Sequence, residues 1–312
     1  MKVYYISPST IPSRSANLVH VLFMSDALLK LGHKVTLFVH SNEYNSKECR
    51  DIIKESHDID GNEINIIPYK GNFKKGKELG IAIFAWIIYL KDLFNGTAPN
   101  SIISRNIYGA VFLGIFMRRK VIYETHSPEK GFRKYCQNSL ISSKKIQTVV
   151  ISQALKKLIV QRQAHLNDKV HVFHDAARAG RINIDIIQRE KLKKTLLISR
   201  SVKNNYEKFI GYFGHLYPGR GIEVIQGLAE KYPKHAFVVY GGNDKEIALF
   251  TNNNLFENLF FMGYLDQRSI YEKMSMMDVL LMPYQKQVSI GIELVDTSRW
   301  MSPMKMFEYM SS

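Results

Sequence analysis

The chain has 312 residues, 46% of them hydrophobic and 23% charged, with a formal net charge of +15. That length suits two domains of roughly 150 residues each, and that balance suits a globular protein instead of a disordered or fibrous one. Only Cys49 and Cys136 carry thiols, far apart and without metal-ligand spacing, which argues against a disulfide framework or a zinc site.

The opening "MKVYYIS" moves straight into a strand pattern, without the charged, apolar and small-residue regions of a signal peptide, so a cytoplasmic location is expected. A helix over Asn17 to Leu31 follows, with Leu18, Val21, Leu22, Leu28 and Leu29 at helical spacing and Gly32 closing it, and then the strand "KVTLFVH". The alternation continues through "NEINIIPY", a helix around Leu79 to Leu93, "SIISR", a helix near Tyr108 to Met117, "KVIYETHS", a further helix, "TVVIS" and "KVHVFHD". The apolar run Leu79 to Leu90 is well short of the roughly 18 to 20 residues that a membrane span needs.

A polar segment from Ala176 to Glu207 interrupts the strands and is expected to hold a linker from about residue 176. The alternation then restarts with "KFIGYFG", a helix from Gly221 to Lys231, "AFVVYGG", "LFFMGYL", a helix from Gln267 to Met276 and "DVLLMPY". Strands alternating with helices imply parallel, doubly wound sheets. The expectation is an α/β protein of two Rossmann-like domains, 1–200 and 201–312, with ligands at the carboxyl ends of the strands. The chain ends on "SPMKMFEYMSS", read as a helix with Ser302 at the N-cap and Pro303 in its first position, and with no C-cap after it.

Charge is unevenly spread. Residues 1–200 carry 32 Lys and Arg against 16 Asp and Glu, or +16, whereas residues 201–312 carry 11 against 12, or −1. A basic half of this kind suits nucleic acid or an anionic membrane. The basic residues are scattered, and no helix-turn-helix, zinc finger or RNP motif occurs, which disfavours nucleic acid. Lys74, Lys75 and Lys77 precede the apolar helix and Lys91 follows it, a pattern that suits docking on anionic lipid as well as a helix simply buried on its sheet.

Four turns hold polar groups where such sheets bind ligands. In "SPSTIPSRSANLVH", Ser13, Arg14, Ser15 and Asn17 precede the first helix, so its free amides suit an anion or a sugar hydroxyl, or Ser15 is an ordinary N-cap. The G-x-G-x-x-G pattern is absent, which disfavours a nicotinamide cofactor. "YETHSPE" sets Glu124, His126 and Glu129 just after a strand, where the histidine is either structural or functional. In "GYFGHLYPGRGIE", Gly214, Gly219 and Gly221 permit close backbone approach while His215 and Arg220 supply cations suited to a diphosphate, although Pro218 and Gly219 equally make a plain turn. In the last helix, Glu308 lies one turn beyond Met304 on the same side, where a carboxylate can accept hydrogen bonds from a ribose diol.

These pieces in this order, "ALLKLGHKVTLF", "YETHS", "VVISQALKKLI", "FGHLYPGRGIEVI", "FVVYGG", "FMGYLD", "DVLLMPY" and "SPMKMFEYMSS", resemble the GT-B glycosyltransferases of family 4 over nearly the whole chain. The resemblance implies retaining transfer of a sugar from a nucleotide diphosphate sugar, of UDP or GDP type, to the hydroxyl of a glycan or lipid-linked acceptor. It implies no cofactor and, as no D-x-D occurs, no metal. By the same resemblance residues 1–200 form the acceptor side and 201–312 the donor side. Arg220 and His215 hold the diphosphate, the helix start at Ser302 and Met304 lies against the donor, Glu308 binds the ribose, and backbone from Gly263 through Tyr264 to Leu265 faces the base. His126 lies near the donor sugar, and His126 with Arg220 serves the reaction. Bacterial surface polysaccharide or glycolipid synthesis, at the inner face of the plasma membrane, is the implied setting.

Two positions depart from the family pattern. His215 stands where many members have Arg, and Trp300, eight residues before Glu308, stands where the E-x7-E motif has its first Glu. Asp296 or Glu293 could take that role by a different loop path. A sugar-nucleotide epimerase of the same fold and an inactive binding relative remain as alternatives. The end soon after Glu308 also raises the expectation of an incomplete second domain, an unpaired sheet edge and a poorly held Glu308.

Overall fold

The computed structural model describes residues 1–13, 15–57, 59, 63–71, 76–161, 164–177, 184–200, 205–251, 256–289 and 296–312, apart from the side chains at 164, 165, 267 and 268. Arg14, Lys74, Lys75 and Glu293 lie outside these residues. The chain divides into two compact units, one of residues 1–174 with 300–302, the other of residues 175–299 with 303–312.

The first unit is a parallel sheet of seven strands. β1 (Lys2–Thr10), β2 (Lys34–His40), β3 (Asn65–Tyr69), β4 (Ser101–Ser104), β5 (Val121–Thr125), β6 (Ile146–Val150) and β7 (Val170–Val172) take the order β3-β2-β1-β4-β5-β6-β7. The order reverses between β1 and β4, so a crevice opens at their carboxyl ends, the usual place for a ligand in such sheets. The central strands are buried on both faces, which is why β1 and β2 read as nearly unbroken apolar runs.

Helix α1 (Ala16–Lys30) begins at Ser15, whose Oγ accepts the Leu18 N–H. It ends in a Schellman motif: Gly32, at φ +79°, donates to the Leu29 carbonyl and His33 donates to that of Leu28. α2 (Ser46–His57) went unread in the sequence because only Cys49, Ile53 and His57 of its twelve residues are buried. α3 (Lys77–Phe94) buries Ile81, Ala82, Ala85 and Tyr89 in the core with Tyr4, Phe38 and Tyr123. α4 (Ile107–Ala110) starts on Asn106 and runs into a π-helical turn, Val111–Phe116; α5 (Gly131–Ser142) and α6 (Gln153–Val160) complete the unit.

The segment 176–207, expected to hold a linker at the end of a domain 1–200, contains α7 (Ile186–Ser199), which belongs to the second unit. The helix opens with a capping box between Asp185 and Gln188, and Leu192, Leu196 and Leu197 pack into the second unit's core against Phe209 and Met274. β8 (Lys208–Phe213), α8 (Ile222–Lys231), β9 (His235–Tyr240), α9 (Asp244–Thr251), β10 (Leu259–Gly263), α10 (Gln267–Ser275), β11 (Val279–Leu280) and α11 (Met304–Ser311) follow. The four strands are parallel in the order β10-β9-β8-β11, with the order again reversing beside β8. Among the described residues β11 is a two-residue edge.

The last helix starts one residue later than expected. Pro303 is the N-cap, in extended conformation and without a side-chain bond, so Ser302 stands outside the helix and Met304 opens it. Trp300 packs with Val150, Leu155 and Leu166 of the first unit, and its carbonyl accepts a hydrogen bond from Ser152 Oγ at 2.7 Å.

Candidate functional site

In the first unit the carboxyl ends of β1, β4 and β5 bring five side chains together. Glu124, second to last in β5, is buried, and its Oε1 receives a hydrogen bond from His126 Nε2 at 2.6 Å. The same oxygen lies 2.8 Å from His20 Nε2 of α1 and 3.6 Å from Arg105 Nε, just past β4. Its other oxygen accepts the Tyr5 hydroxyl at 3.0 Å. The two imidazoles meet edge to face, with centroids 5.1 Å apart.

Charge settles the protonation of this group. Burial opposes ionisation of Glu124, but Arg105 and the two histidines overcome it and hold the carboxyl well below the usual range. Burial first, and then the positive charge of Arg105, hold His126 below its ordinary value despite the Glu124 bond. Tyr5 is pushed far up, by burial and by the adjacent carboxylate, and so stays a hydroxyl donor. Glu124 and Arg105 thus cancel each other while His126, neutral and donating through Nε2, keeps Nδ1 as an acceptor. Its side chain is 26% exposed, enough to meet a ligand.

One donor atom from each of His20, Glu124 and His126 lies within 4.8 Å of the others, a spacing that a metal ion could use. The Arg105 guanidinium beside the same carboxylate already supplies the positive charge, which favours a hydrogen-bonded cluster over a cation site.

The loop before α1 has local partners. Ser13 Oγ accepts the Ser15 N–H at 3.1 Å, Ser15 caps the helix, and the Asn17 carbonyl accepts a bond from Arg105 at 3.5 Å. Asn17 is therefore tied to the cluster through Arg105. His20, Arg105 and Tyr5 were not singled out in the sequence. Arg105 was legible by the rule that found His126, because it too directly follows a strand of the parallel sheet.

In the second unit the turn between β8 and α8 is built on glycine. Gly219 and Gly221 have φ of +83° and +81°, and a Cβ on either would lie 1.9 Å from the Gln287 carbonyl oxygen or 2.1 Å from that of Pro283. The turn is pinned by bonds from Gln285 N–H to the Gly219 carbonyl and from Ser289 N–H to that of Pro218. Helix α8 then starts on left-handed Gly221 with no side-chain cap, leaving its first amides to other acceptors.

His215 stacks flat on Tyr217, centroids 4.7 Å apart at an interplanar angle of 2°. Burial, and then the charges of Arg220 and, more weakly, Lys305, hold His215 below its ordinary value, while Glu246 opposes them. Arg220 lies 4.7 Å over the Tyr284 ring, and its buried Nε has no hydrogen-bond partner among the described residues. Tyr264 Oη stands 3.4 Å from His215 Nδ1 and donates to Glu246 at 3.3 Å. Gly263, at φ +72°, accepts the Gly241 N–H, and Leu265 turns into the core.

Glu308 is buried, and Lys305 donates to its Oε2 at 3.1 Å. The neighbouring Tyr309 hydroxyl accepts the Phe213 N–H at 2.9 Å, which locks α11 to the end of β8. The expectation of a poorly held Glu308 is therefore corrected: a salt bridge and the half-buried, hydrogen-bonded Tyr309 beside it fix it. Asp296 spends its Oδ1 on the N–H groups of Val288 and Ser298, at 3.0 and 2.9 Å. Lys305 was missed in the sequence, where a lysine in an amphipathic helix reads as solvated.

No family model and no curated protein matches this sequence. Solved structures do match in fold. HepE from Anabaena, in complex with UDP and glucose, is 13% identical, with a TM-score of 0.58 over 90% of this chain and 73% of its own. A glycosyltransferase from Rickettsia africae gives 15% and 0.62 over 91% and 73%. The catalytic domain of starch synthase IV from Arabidopsis thaliana, bound to ADP and acarbose, gives 11% and 0.61 over 91% and 78%. The chain has the GT-B fold, with two Rossmann-like units.

Proposed function

We propose that this chain is a retaining glycosyltransferase that moves a hexosyl group from a nucleotide diphosphate sugar, of UDP or GDP type, to the hydroxyl of a glycan or lipid-linked acceptor. The observation that carries the reading is the gathering of His215, Arg220 and Lys305 about the glycine turn that opens α8, beside the buried carboxylate of Glu308. Cations, free helix amides and a desolvated carboxylate are what a diphosphate and a ribose diol require. That HepE binds UDP and starch synthase IV binds ADP on the same fold supports the assignment.

In this reading residues 201–312, which apart from 300–302 belong to the second unit, are the donor side. Arg220 donates to the diphosphate through the Nε that has no partner among the described residues, His215 assists, and the amides at the start of α8 complete the anion site. Glu308 accepts from the ribose hydroxyls, Met304 flanks them, and the backbone from Gly263 through Tyr264 to Leu265 borders the base. As the glycosidic bond breaks, negative charge grows on the leaving phosphate, and Arg220 and the helix amides stabilise it. The acceptor oxygen attacks the same face and passes its proton to the departing phosphate. In the first unit, the acceptor side, His126 takes a hydrogen bond from a sugar hydroxyl through Nδ1. The setting is bacterial surface polysaccharide or glycolipid synthesis at the cytoplasmic face of the membrane, without a metal.

Thermal shift against UDP, GDP and ADP, followed by transfer assays with the corresponding sugars, tests the reading. A nucleoside diphosphate should stabilise the protein, and its sugar should give a glycosylated acceptor. Conversion of donor alone to an isomer would make the chain an epimerase, and no stabilisation by any nucleotide would end the donor assignment.

A further inference from the structure

We infer that the outer face of α3 together with the π-helical turn Val111–Phe116 is a docking surface for an anionic lipid bilayer. The inference stands whether or not the chain transfers a sugar. α3 is buried on one side only. On the other, Leu79, Ile83 and Ile87 are 41, 39 and 54% exposed and stand four residues apart, one above the next along a line that Lys91 continues. Phe94, at the helix end, is 88% exposed. Trp86 packs beside Phe112, centroids 6.0 Å apart, and Phe112 stacks on Phe116, which is itself 69% exposed. The apolar stripe therefore widens from the helix onto the turn, a larger exposed apolar area than scattered surface residues give.

What surrounds the stripe identifies the partner. Arg118, Arg119 and Lys120 follow Phe116 and are all exposed, and the Arg119 guanidinium lies 5.7 Å over the ring of Tyr89 on α3. The two acids of α3 are already committed: Glu78 pairs with Arg133, and Asp92 pairs with Lys2 and accepts the Tyr4 hydroxyl. The patch thus presents apolar side chains beside Lys91, Arg118, Arg119 and Lys120, none of which pairs with an acid among the described residues. That combination fits acyl chains below and anionic headgroups around, whereas a protein partner would have to supply both an apolar face and an acidic rim. No helix among the described residues is long and apolar enough to cross a membrane, so the contact is with the surface.

Co-sedimentation with vesicles tests this. The protein should bind vesicles of phosphatidylcholine mixed with phosphatidylglycerol, bind pure phosphatidylcholine far less, and release as salt rises. The double variant Arg118→Gln/Arg119→Gln should lose about thirtyfold in affinity for the anionic vesicles. Ile83→Glu/Ile87→Glu should lose binding while far-UV circular dichroism and thermal unfolding stay unchanged, because both side chains point away from the core. No binding of the wild type at low salt, or full binding by the Ile83→Glu/Ile87→Glu variant, would overturn the inference. So would a dimer in light scattering that this variant dissociates, since it would assign the face to a second copy.

Discussion

The carboxylate of Glu124 and the imidazole of His126, two residues apart across the end of β5, share a 2.6 Å hydrogen bond that fixes the ring's tautomer. The bond turns a histidine at the carboxyl end of an interior strand into a fixed acceptor. Glu124→Gln keeps the shape but offers Nε2 an amide whose orientation is free. We expect that variant to lose about a hundredfold or more in turnover while nucleoside diphosphate affinity is kept. Transfer kinetics with titration calorimetry would check it, and equal loss of both would assign Glu124 to folding alone.

Arg105 should govern the basicity of that histidine. Its charge is the largest cause after burial that holds His126 low, so Arg105→Gln should raise the His126 pKa, as read from ring resonances by NMR. The sign for stability follows from proton counts. His126 and Glu124 both titrate lower in the folded chain, so the unfolded chain binds more protons in the intervening window. Stability from these groups is full above about pH 6.5 and falls as pH drops, first through His126 and then through Glu124. Urea unfolding across that range measures it.

Donor binding should depend on Arg220 and Glu308. Removing a charged hydrogen-bonding partner in a desolvated site costs about 2–5 kcal/mol. Arg220→Ala and Glu308→Ala should each weaken nucleoside diphosphate binding by at least about thirtyfold. Unchanged affinity in both would remove the assignment.

On the proposed reading, His215 should give donor binding a pH signature. Free, it is held low by burial and by the cations near it, and is neutral at pH 7. A diphosphate brings opposite charge, raises its pKa and draws a proton onto the ring. Affinity should therefore rise as pH falls from about 7.5 toward 6. Calorimetry in buffers of different ionisation enthalpy should report proton uptake, and His215→Gln should abolish it.

The glycine turn should resist side chains. Gly219→Ala and Gly221→Ala each force a left-handed alanine, at about 1–3 kcal/mol, and push a methyl group into a carbonyl oxygen. Both should lower the unfolding temperature and weaken donor binding together. An unchanged melting curve would mean that the turn relaxes at no cost.

Much of the fold could be read because burial on both faces writes strands as apolar runs; β1, β2, β8 and β9 are such runs. α2 and α7 bury only a few residues each and read as polar stretches, although the Asp185 capping box was there to be seen. His126, His215 and Arg220 were legible because they sit in turns, whereas Glu308, the fifth residue of α11, stood out only through the order of motifs in the resemblance. His20 and Lys305 were not, since both lie inside amphipathic helices where sequence alone gives no reason to prefer one polar residue over another. Tyr5 was hidden by its aromatic ring, which counts as apolar in any strand pattern.

The stripe on α3 also carries a kinetic consequence. From Leu79 to Phe94 it spans about 22 Å along the helix. Its first turn lies at the ligand end of the sheet, where the Glu78 carbonyl accepts a bond from Asn106 just past β4. A bilayer against this face would hold the strands of the first unit alongside the surface, with the Glu124 cluster at one end, level with the headgroups. An acceptor anchored in the same leaflet would then be met by lateral diffusion in two dimensions instead of by search through bulk solution. Turnover on vesicle-borne acceptor would rise with surface density, whereas a water-soluble analogue of the same acceptor would gain nothing from the lipid.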